Sequence, residues 1–185
     1  MSSSQARPQA GRRRFVQGWM AWAAGGVVLV AVVLGFSLSH GGARPQADAS
    51  GIHSGAGYRL TSVTGQAVTI PAGRPTVLYF MSASCSSCWQ GSSQLAQAYA
   101  ALRTKAQVVS LDVTPQVDTA SQVETMAQET GARWPQTFAT SALLTRYHVE
   151  SLDTVVVLSP TGRVVYDGSI PSNAQLLALV TRAAQ

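Results

Sequence analysis

The stretch from Thr76 to Cys88 reads TVLYFMSASCSSC and joins a short apolar run to a pair of cysteines. Residues 76–81 carry apolar side chains on both faces, which is typical of a central strand that is covered on both sides. The sequence after the cysteines predicts a helix from about Ser86 to Lys105. The cysteines therefore lie where a buried strand ends and a helix begins.

Cys85 and Cys88 are the only cysteines of the chain. A thiol at a helix N-terminus faces unpaired backbone N–H groups and the positive end of the helix dipole, and both favour the thiolate. The two intervening residues place the second thiol one turn further on, with a predicted Cα separation of about 4.4–6.8 Å. We expect Cys85 to be the exposed, attacking sulfur and Cys88 to be the more buried, resolving one.

Two other roles for the cysteine pair stay open on the sequence alone. A purely structural disulfide is one of them, although closing so short a loop stabilises a fold by only about 2 kcal/mol, against about 3 kcal/mol for a fifteen-residue loop. Half of a zinc site is the other, but the chain has no second pair of cysteines to complete it. A redox pair is the favoured interpretation.

Alternating strand and helix patterns continue to the C-terminus and predict an α/β domain with a mixed sheet over residues 57–185. Besides the elements around the cysteines, the predicted strands are Tyr58–Leu60, Ala67–Ile70, Gln107–Leu111, Thr154–Leu158 and Arg163–Tyr166, and the predicted helices are Ala120–Thr130, Ser141–Tyr147 and one after Pro171 that Ser172 or Asn173 could cap. About 129 residues are enough to bury a core without disulfides.

The N-terminal region has a different composition. Residues 16–39 contain no charge and would form a helix about 36 Å long, enough to cross a hydrocarbon core of about 30 Å. Because three arginines at 12–14 precede this run, the positive-inside rule places the N-terminus in the cytoplasm and the α/β domain outside the cell membrane. The predicted division is a cytoplasmic basic arm at 1–15, a transmembrane anchor at 16–39, a flexible linker at 40–56 and the domain at 57–185.

Alternatives to a retained anchor also fit this region. Residues 11–16 resemble a twin-arginine export signal, and Ala47-Asp48-Ala49 has the form of a cleavage site, although the apolar run is long for a signal and ends well before it. A buried helix of a soluble protein is the remaining possibility. Nucleic-acid binding is set aside, because most of the net charge of +5 comes from residues 1–50 and the rest of the chain is almost neutral.

Residues 57–185 resemble the TlpA-like branch of the thioredoxin superfamily, in the stretches LTSVTG (60–65), VLYFMSASCSSC (77–88), VVSLDV (108–113) and YHVESLDTVVVLSPTGRVV (147–165). The resemblance implies a thioredoxin-like fold and a membrane-anchored, extracytoplasmic thiol–disulfide oxidoreductase with Cys85 and Cys88 as its catalytic residues. It implies no cofactor and no metal. The expected partners are exported proteins that carry thiols or disulfides, including apocytochromes during cytochrome c maturation, together with an electron donor in the membrane.

The chain departs from this resemblance at four positions. Ser84 stands where the family usually has tryptophan before the first cysteine, and Tyr79 and Gly91 stand where some members carry a carboxylate that manages the proton of the resolving thiol. No such acid is therefore evident. Asp153 stands where the family places a cis-proline against the disulfide.

The missing proline matters for substrate docking, because the cis-proline segment presents its backbone to the partner peptide. We expect docking to involve Asp153, Thr154 and Trp89, although Trp89 is equally suited to packing. The Leu152–Asp153 bond is predicted to be trans, because a cis bond before a non-proline residue costs about 2.5–4 kcal/mol. A carboxylate turned towards Cys85 would oppose its thiolate, and we expect Asp153→Pro to restore docking.

Two rival functions remain. Sco-type copper chaperones share the fold and contain a phrase similar to LDVTPQVDT (111–119), but they need a wider cysteine spacing and a histidine near Thr154. A thioredoxin-like binding or sensing module with little turnover is the other rival, and the missing proline is consistent with it. Reduction of insulin disulfides, run beside a copper titration, separates these functions.

Overall fold

The computed structural model describes residues 57–185, and its central sheet is built around the apolar strand that precedes the cysteines. In chain order the elements are β1 (Tyr58–Thr61), β2 (Ala67–Ile70), β3 (Thr76–Met81), α1 (Ser86–Leu102), β4 (Gln107–Asp112), α2 (Ala120–Thr130), β5 (Gln136–Phe138), α3 (Ser141–Arg146), β6 (Thr154–Leu158), β7 (Val164–Ser169) and α4 (Asn173–Ala183). The strands of the central sheet follow the order β5-β4-β3-β6-β7. Because β4 runs parallel to β3 while β6 runs antiparallel to it, the predicted α/β class with a mixed sheet is confirmed.

The two faces of the sheet bury separate apolar clusters. On one face, side chains of α1, α2 and α4 pack against alternate residues of β3, among them Val77 and Tyr79. On the other face, α3 and the β1–β2 hairpin cover Leu78 and Phe80. All six residues of β3 are buried, so the strand that leads to the cysteines is fixed from both sides.

Some element boundaries differ from the sequence-based expectation. Helix α1 ends at Leu102 rather than Lys105, because the Lys105 N–H donates to the carbonyl of Leu102 in a tight turn that leads into β4. Strand β5 was not expected from the sequence, and β7 extends to Ser169. Ser172 is the N-cap of α4 and forms a reciprocal capping box with Gln175, which confirms one of the two expected caps.

The predicted basic arm, transmembrane anchor and linker (1–15, 16–39 and 40–56) lie outside the described residues, and they stay predictions. Within residues 57–185, none of the helices combines the length and the apolar character that crossing a membrane requires.

Candidate redox site

The cysteine pair lies at the N-terminus of α1. Cys85 is the N-cap residue, and its Sγ accepts a hydrogen bond of 3.3 Å from the backbone N–H of Cys88. The two cysteines form a disulfide with a Cα–Cα distance of 5.3 Å, within the predicted range. The strand-to-helix junction therefore places both sulfurs where the free N–H groups of the helix can stabilise a thiolate.

The two sulfurs differ in their access to solvent. Cys85 is half-buried, whereas Cys88 is completely buried in the cluster beneath α1. The Oγ of Ser87, an exposed residue, lies 3.2 Å from the Cys85 sulfur. A partner can thus reach Cys85 from solvent but not Cys88, which is the order of exposure expected from the sequence.

Asp153 lies beside the pair. The described residues contain one cis peptide bond, Ile70–Pro71, so the Leu152–Asp153 bond is trans as predicted. Asp153 has a φ of 61°, and a carboxylate oxygen of this residue lies within 4.8 Å of both sulfurs. This φ does not suit proline, whose ring fixes φ near −65°, so Asp153→Pro would require the loop to change its backbone. Its effect on docking stays a prediction.

Tyr79, from the centre of β3, holds the Asp153 side chain. Its hydroxyl makes a short hydrogen bond with Oδ1 of Asp153 and also lies 2.9 Å from the carbonyl oxygen of Cys88. Burial, and then the hydrogen bond to Asp153 and the charge of that carboxylate, raise the pKa of Tyr79 well above its ordinary value of 10.0. The phenol therefore keeps its proton throughout the working range of pH.

Gly91, one turn along α1, provides the space for this contact. An ideal Cβ at this position would lie 2.6 Å from Oδ1 of Asp153 and even closer to the hydroxyl of Tyr79. Such separations are well inside van der Waals contact, so any larger residue would displace the tyrosine–aspartate pair. The sequence alone does not show why a glycine is needed at this position, because Asp153 lies 62 positions further along the chain.

A second acidic group fixes the residues immediately before Cys85. Asp118 accepts hydrogen bonds from the hydroxyls of Ser82 (2.6 Å), Ser84 and Thr114 (2.7 Å). Asp112, at the end of β4, accepts from the backbone N–H of Ala83 at 2.9 Å. We call residues 82–84 the pre-cysteine loop, and both carboxylates that hold it are buried.

The two carboxylates of this group have opposite pKa shifts. Burial raises the pKa of Asp112, against hydrogen bonds from the N–H groups of Thr114 and Ala83. For Asp118, burial also acts to raise the pKa, but the hydrogen bonds from Ser82, Ser84 and Thr114 outweigh it and hold the pKa well below its usual range. Asp118 is therefore the charged member of the pair, and Asp112 is the member more ready to take up a proton.

The residues expected to dock a substrate have different surroundings. Thr154 is buried between Phe80 of β3 and Ser169 of β7, and its hydroxyl donates to the carbonyl of Ser151 at 2.7 Å. Trp89 is half-buried, and its indole N–H donates to the carbonyl of Ala83 at 2.8 Å. Asp153 lies within 4.8 Å of the sulfurs, while Trp89 supports the pre-cysteine loop.

Comparison with known proteins gives one curated relative at modest identity. No family model matches the chain. A protein of Streptomyces lividans described as mercury resistance operon ORF3 is 28% identical over 120 residues, which are 63% of this chain and 64% of that protein. The chain thus spans less than two thirds of the length of the curated relative that it matches.

Solved structures show the fold of the domain. A thiol:disulfide interchange protein of the thioredoxin family from Chlorobium tepidum superposes with a TM-score of 0.60 at 18% identity, over 70% of this chain and 95% of that chain. StoA from Bacillus subtilis gives 0.59 at 20% identity, over 68% and 97%. A SCO1/SenC family lipoprotein from Bacillus anthracis gives 0.56 at 17% identity, over 70% and 94%. The expected thioredoxin-like fold is confirmed.

Proposed function

We propose that this chain is an extracytoplasmic thiol–disulfide oxidoreductase in which Cys85 is the nucleophile and Cys88 the resolving thiol. The observation that carries the proposal is the unequal access of the two sulfurs on one helix N-terminus, with Cys85 half-buried and Cys88 at 0% exposure. A purely structural disulfide needs no such asymmetry. Attack by one thiol and resolution by the other does, because the mixed disulfide must form with the accessible sulfur.

The reaction moves two electrons from the reduced pair to a disulfide of the partner. The Cys85 thiolate attacks one partner sulfur, a mixed disulfide forms, and the other partner sulfur leaves as a thiolate. Cys88 then loses its proton and attacks the Cys85 sulfur, which releases the second partner thiol and forms the Cys85–Cys88 disulfide. A dithiol reductant returns the pair to its reduced state, and the same steps in reverse oxidise a partner dithiol.

The proposed setting is the outer side of the cell membrane, with residues 16–39 as the anchor and exported proteins as partners. The support is the uncharged run of 24 residues preceded by arginines. A reporter enzyme fused after Gln185, active only outside the cytoplasm, tests this placement. Activity of the full-length fusion and none after deletion of residues 16–39 is the expected result. A full-length fusion that is produced intact but shows no reporter activity would contradict it.

The rival copper-handling function lacks support at the same site. Within residues 57–185, the two cysteines form a cluster of possible metal ligands with one further side chain. That side chain is the carboxylate of Asp153 and not a histidine. The neutral nitrogen of a histidine, as copper chaperones of this fold use, has no counterpart there. His148 is exposed and is not a member of the cluster.

The experiment is reduction of insulin disulfides by the full chain with a thiol donor. We expect catalysis by the wild type, none by Cys85→Ser, and trapping of a mixed disulfide by Cys88→Ser, whose Cys85 can attack but cannot be released. Asp167→Asn, which removes an exposed carboxylate on β7, is the matched control. A wild-type chain that reduces no insulin, or a Cys88→Ser variant that traps nothing, would favour a binding or sensing module with little turnover.

A further inference from the structure

We propose that Asp153 transfers the proton of the Cys88 thiol during resolution, and that Tyr79 is the positioning residue that holds it for this step. The inference rests on the proposed function, since resolution by Cys88 is one of its steps. The acid reaches the sulfurs from the loop before β6, and not from β3 or α1, where Tyr79 and Gly91 stand.

The distances suit proton transfer. A carboxylate oxygen of Asp153 lies within 4.8 Å of both sulfurs, a separation that one water molecule can bridge. Cys88 is completely buried, so its proton has no direct exit to solvent. A base within reach is therefore needed before Cys88 can attack the mixed disulfide.

The hydroxyl of Tyr79 can serve both protonation states of Asp153. It lies within hydrogen-bond distance of two acceptors, Oδ1 of Asp153 and the carbonyl oxygen of Cys88 at 2.9 Å. When Asp153 is ionised, the hydroxyl donates to the carboxylate. When Oδ2 of Asp153 carries the proton, Oδ1 is the carbonyl oxygen of the acid and still accepts the hydrogen bond from the hydroxyl. Asp153 can thus gain and lose a proton without losing its partner.

The groups around Asp153 leave it as the available base. The titratable side chains brought to it are Tyr79 from β3 and the two thiols from α1, and burial raises the pKa of Tyr79. From residues 57–185, Asp153 receives one side-chain hydrogen bond, on Oδ1, so Oδ2 is free to accept a proton. Asp112 and Asp118 use their oxygens to hold the pre-cysteine loop and Thr114.

The step balances as follows. The Cys88 S–H bond breaks and its proton goes to the Asp153 carboxylate, while the Cys88 thiolate attacks the Cys85 sulfur of the mixed disulfide. The Cys85–Cys88 bond forms as the bond between Cys85 and the partner breaks, and the partner thiolate leaves with the electron pair. Asp153 returns the proton to that thiolate, directly or through water.

The test follows the reaction of the reduced full chain with the small disulfide dithio-bis-nitrobenzoate by rapid mixing. Attack by Cys85 releases a first thionitrobenzoate, and resolution by Cys88 releases a second, so the two steps appear as separate phases. We expect Asp153→Asn to slow the second phase by about 10²-fold near neutral pH, the lower range for removal of a general base. The rate of the slowed phase should rise about tenfold per pH unit, because Cys88 must then lose its proton to a base from solvent.

Two further variants keep the result interpretable. Asp153→Gly tests the same loss of the carboxylate, and both glycine and asparagine accept the φ of 61°. Tyr79→Phe should slow the second phase less, and the double variant with Asp153→Asn should be no slower than Asp153→Asn alone, because the two side chains act as one unit.

The outcomes separate the two proposals. The role of Asp153 would be overturned if the second phase of Asp153→Asn and Asp153→Gly kept the rate and pH profile of the wild type. Asp167→Asn is the control that should behave as the wild type does. Additive slowing in the double variant would overturn the positioning role of Tyr79. Absence of the first phase in the wild type would instead contradict the proposed function.

Discussion

Two acidic sites flank the cysteine pair, and they differ in how their oxygens are used. Asp118 and Asp112 are buried and accept hydrogen bonds from the pre-cysteine loop and from Thr114. Asp153 is half-buried, receives one side-chain hydrogen bond from the described residues, and lies within 4.8 Å of both sulfurs. The first site fixes the backbone that leads into Cys85, whereas the second leaves a carboxylate oxygen free beside the reacting atoms.

The two sites differ both in burial and in the number of hydrogen bonds on their carboxylates, and a free oxygen on Asp153 is what the proposed proton transfer requires. Asp118, whose oxygens accept from three hydroxyls, is held in its charged form and gives up its partners only at a cost in stability. A carboxylate with a free oxygen can exchange a proton without unfolding its surroundings. The two sites should therefore differ in how much each contributes to the free energy of unfolding.

The largest effect on stability is expected from Asp118→Ala. The change removes the buried carboxylate to which the hydroxyls of Ser82, Ser84 and Thr114 donate, and we expect the free energy of unfolding to fall by about 3 kcal/mol. Asp153→Asn should lower it by less than about 1 kcal/mol, since one hydrogen bond is involved. Urea unfolding measures both, and equal losses for the two variants would remove the distinction between the sites.

Gly91→Ala should have the next largest effect. In an ordinary helix position alanine is favoured over glycine by about 1 kcal/mol. Glutamine and alanine are both good helix formers, so Gln90→Ala at the exposed neighbouring position is expected to be nearly neutral. At Gly91 the added Cβ meets Asp153 and Tyr79, and we expect a net loss of about 2 kcal/mol from overpacking. A stabilised Gly91→Ala protein in the same unfolding experiment would show that the pair does not need this space.

Thr119→Ala should have a smaller effect, although it directly follows Asp118. Thr119 is the N-cap of α2 and shares a capping box with Gln122. Loss of a cap costs about 1 kcal/mol, and the matching Ser172→Ala at the start of α4 should cost the same. Thermal unfolding that shows a loss as large as that of Asp118→Ala would place the stability of this region in the cap rather than in the carboxylate.

The pH dependence of the free energy of unfolding should also come from the buried carboxylates, Asp118 and Asp112. The folded-state pKa of Asp118 is depressed, so its contribution is present above the unfolded pKa of about 3.9 and is lost as the pH falls through the folded value. The folded-state pKa of Asp112 is raised, so its pH dependence has the opposite sign. Its contribution to the free energy of unfolding is present at low pH and is lost as the pH rises through its folded pKa. The stability difference between wild type and Asp118→Asn should therefore narrow in acid. A difference that stays constant down to pH values below about 3 would contradict it.

The sequence predicted the parts of the fold that local patterns determine. The apolar run before Cys85, the helix after it and the alternating strands gave the α/β class, the mixed sheet and the position of the pair. The trans bond before Asp153 followed from the cost of a cis bond without proline. Strand β5 was missed, because its three residues, Gln136–Phe138, are too few to show a period.

The surroundings of the pair could not be predicted in the same way, because they depend on contacts between distant residues. Tyr79 and Gly91 were recognised only as positions that lack an acid, whereas the acid comes from Asp153, 74 positions after the tyrosine. The φ of 61° at Asp153 has no local signal, and it does not suit the proline substitution that the sequence suggested. The loop-holding role of Asp112 and Asp118 had a weak signal, since Asp112 ends a buried strand and Asp118 follows it by six positions.

The most direct test of the division of labour between the two sulfurs is the rate at which each is alkylated in the reduced full chain. A short pulse of iodoacetamide followed by peptide mass spectrometry gives the two rates in one experiment. Because Cys85 is half-buried at the helix N-terminus and Cys88 is completely buried, we expect Cys85 to react at least about tenfold faster. Equal rates, or faster modification of Cys88, would contradict the assignment of Cys85 as the nucleophile.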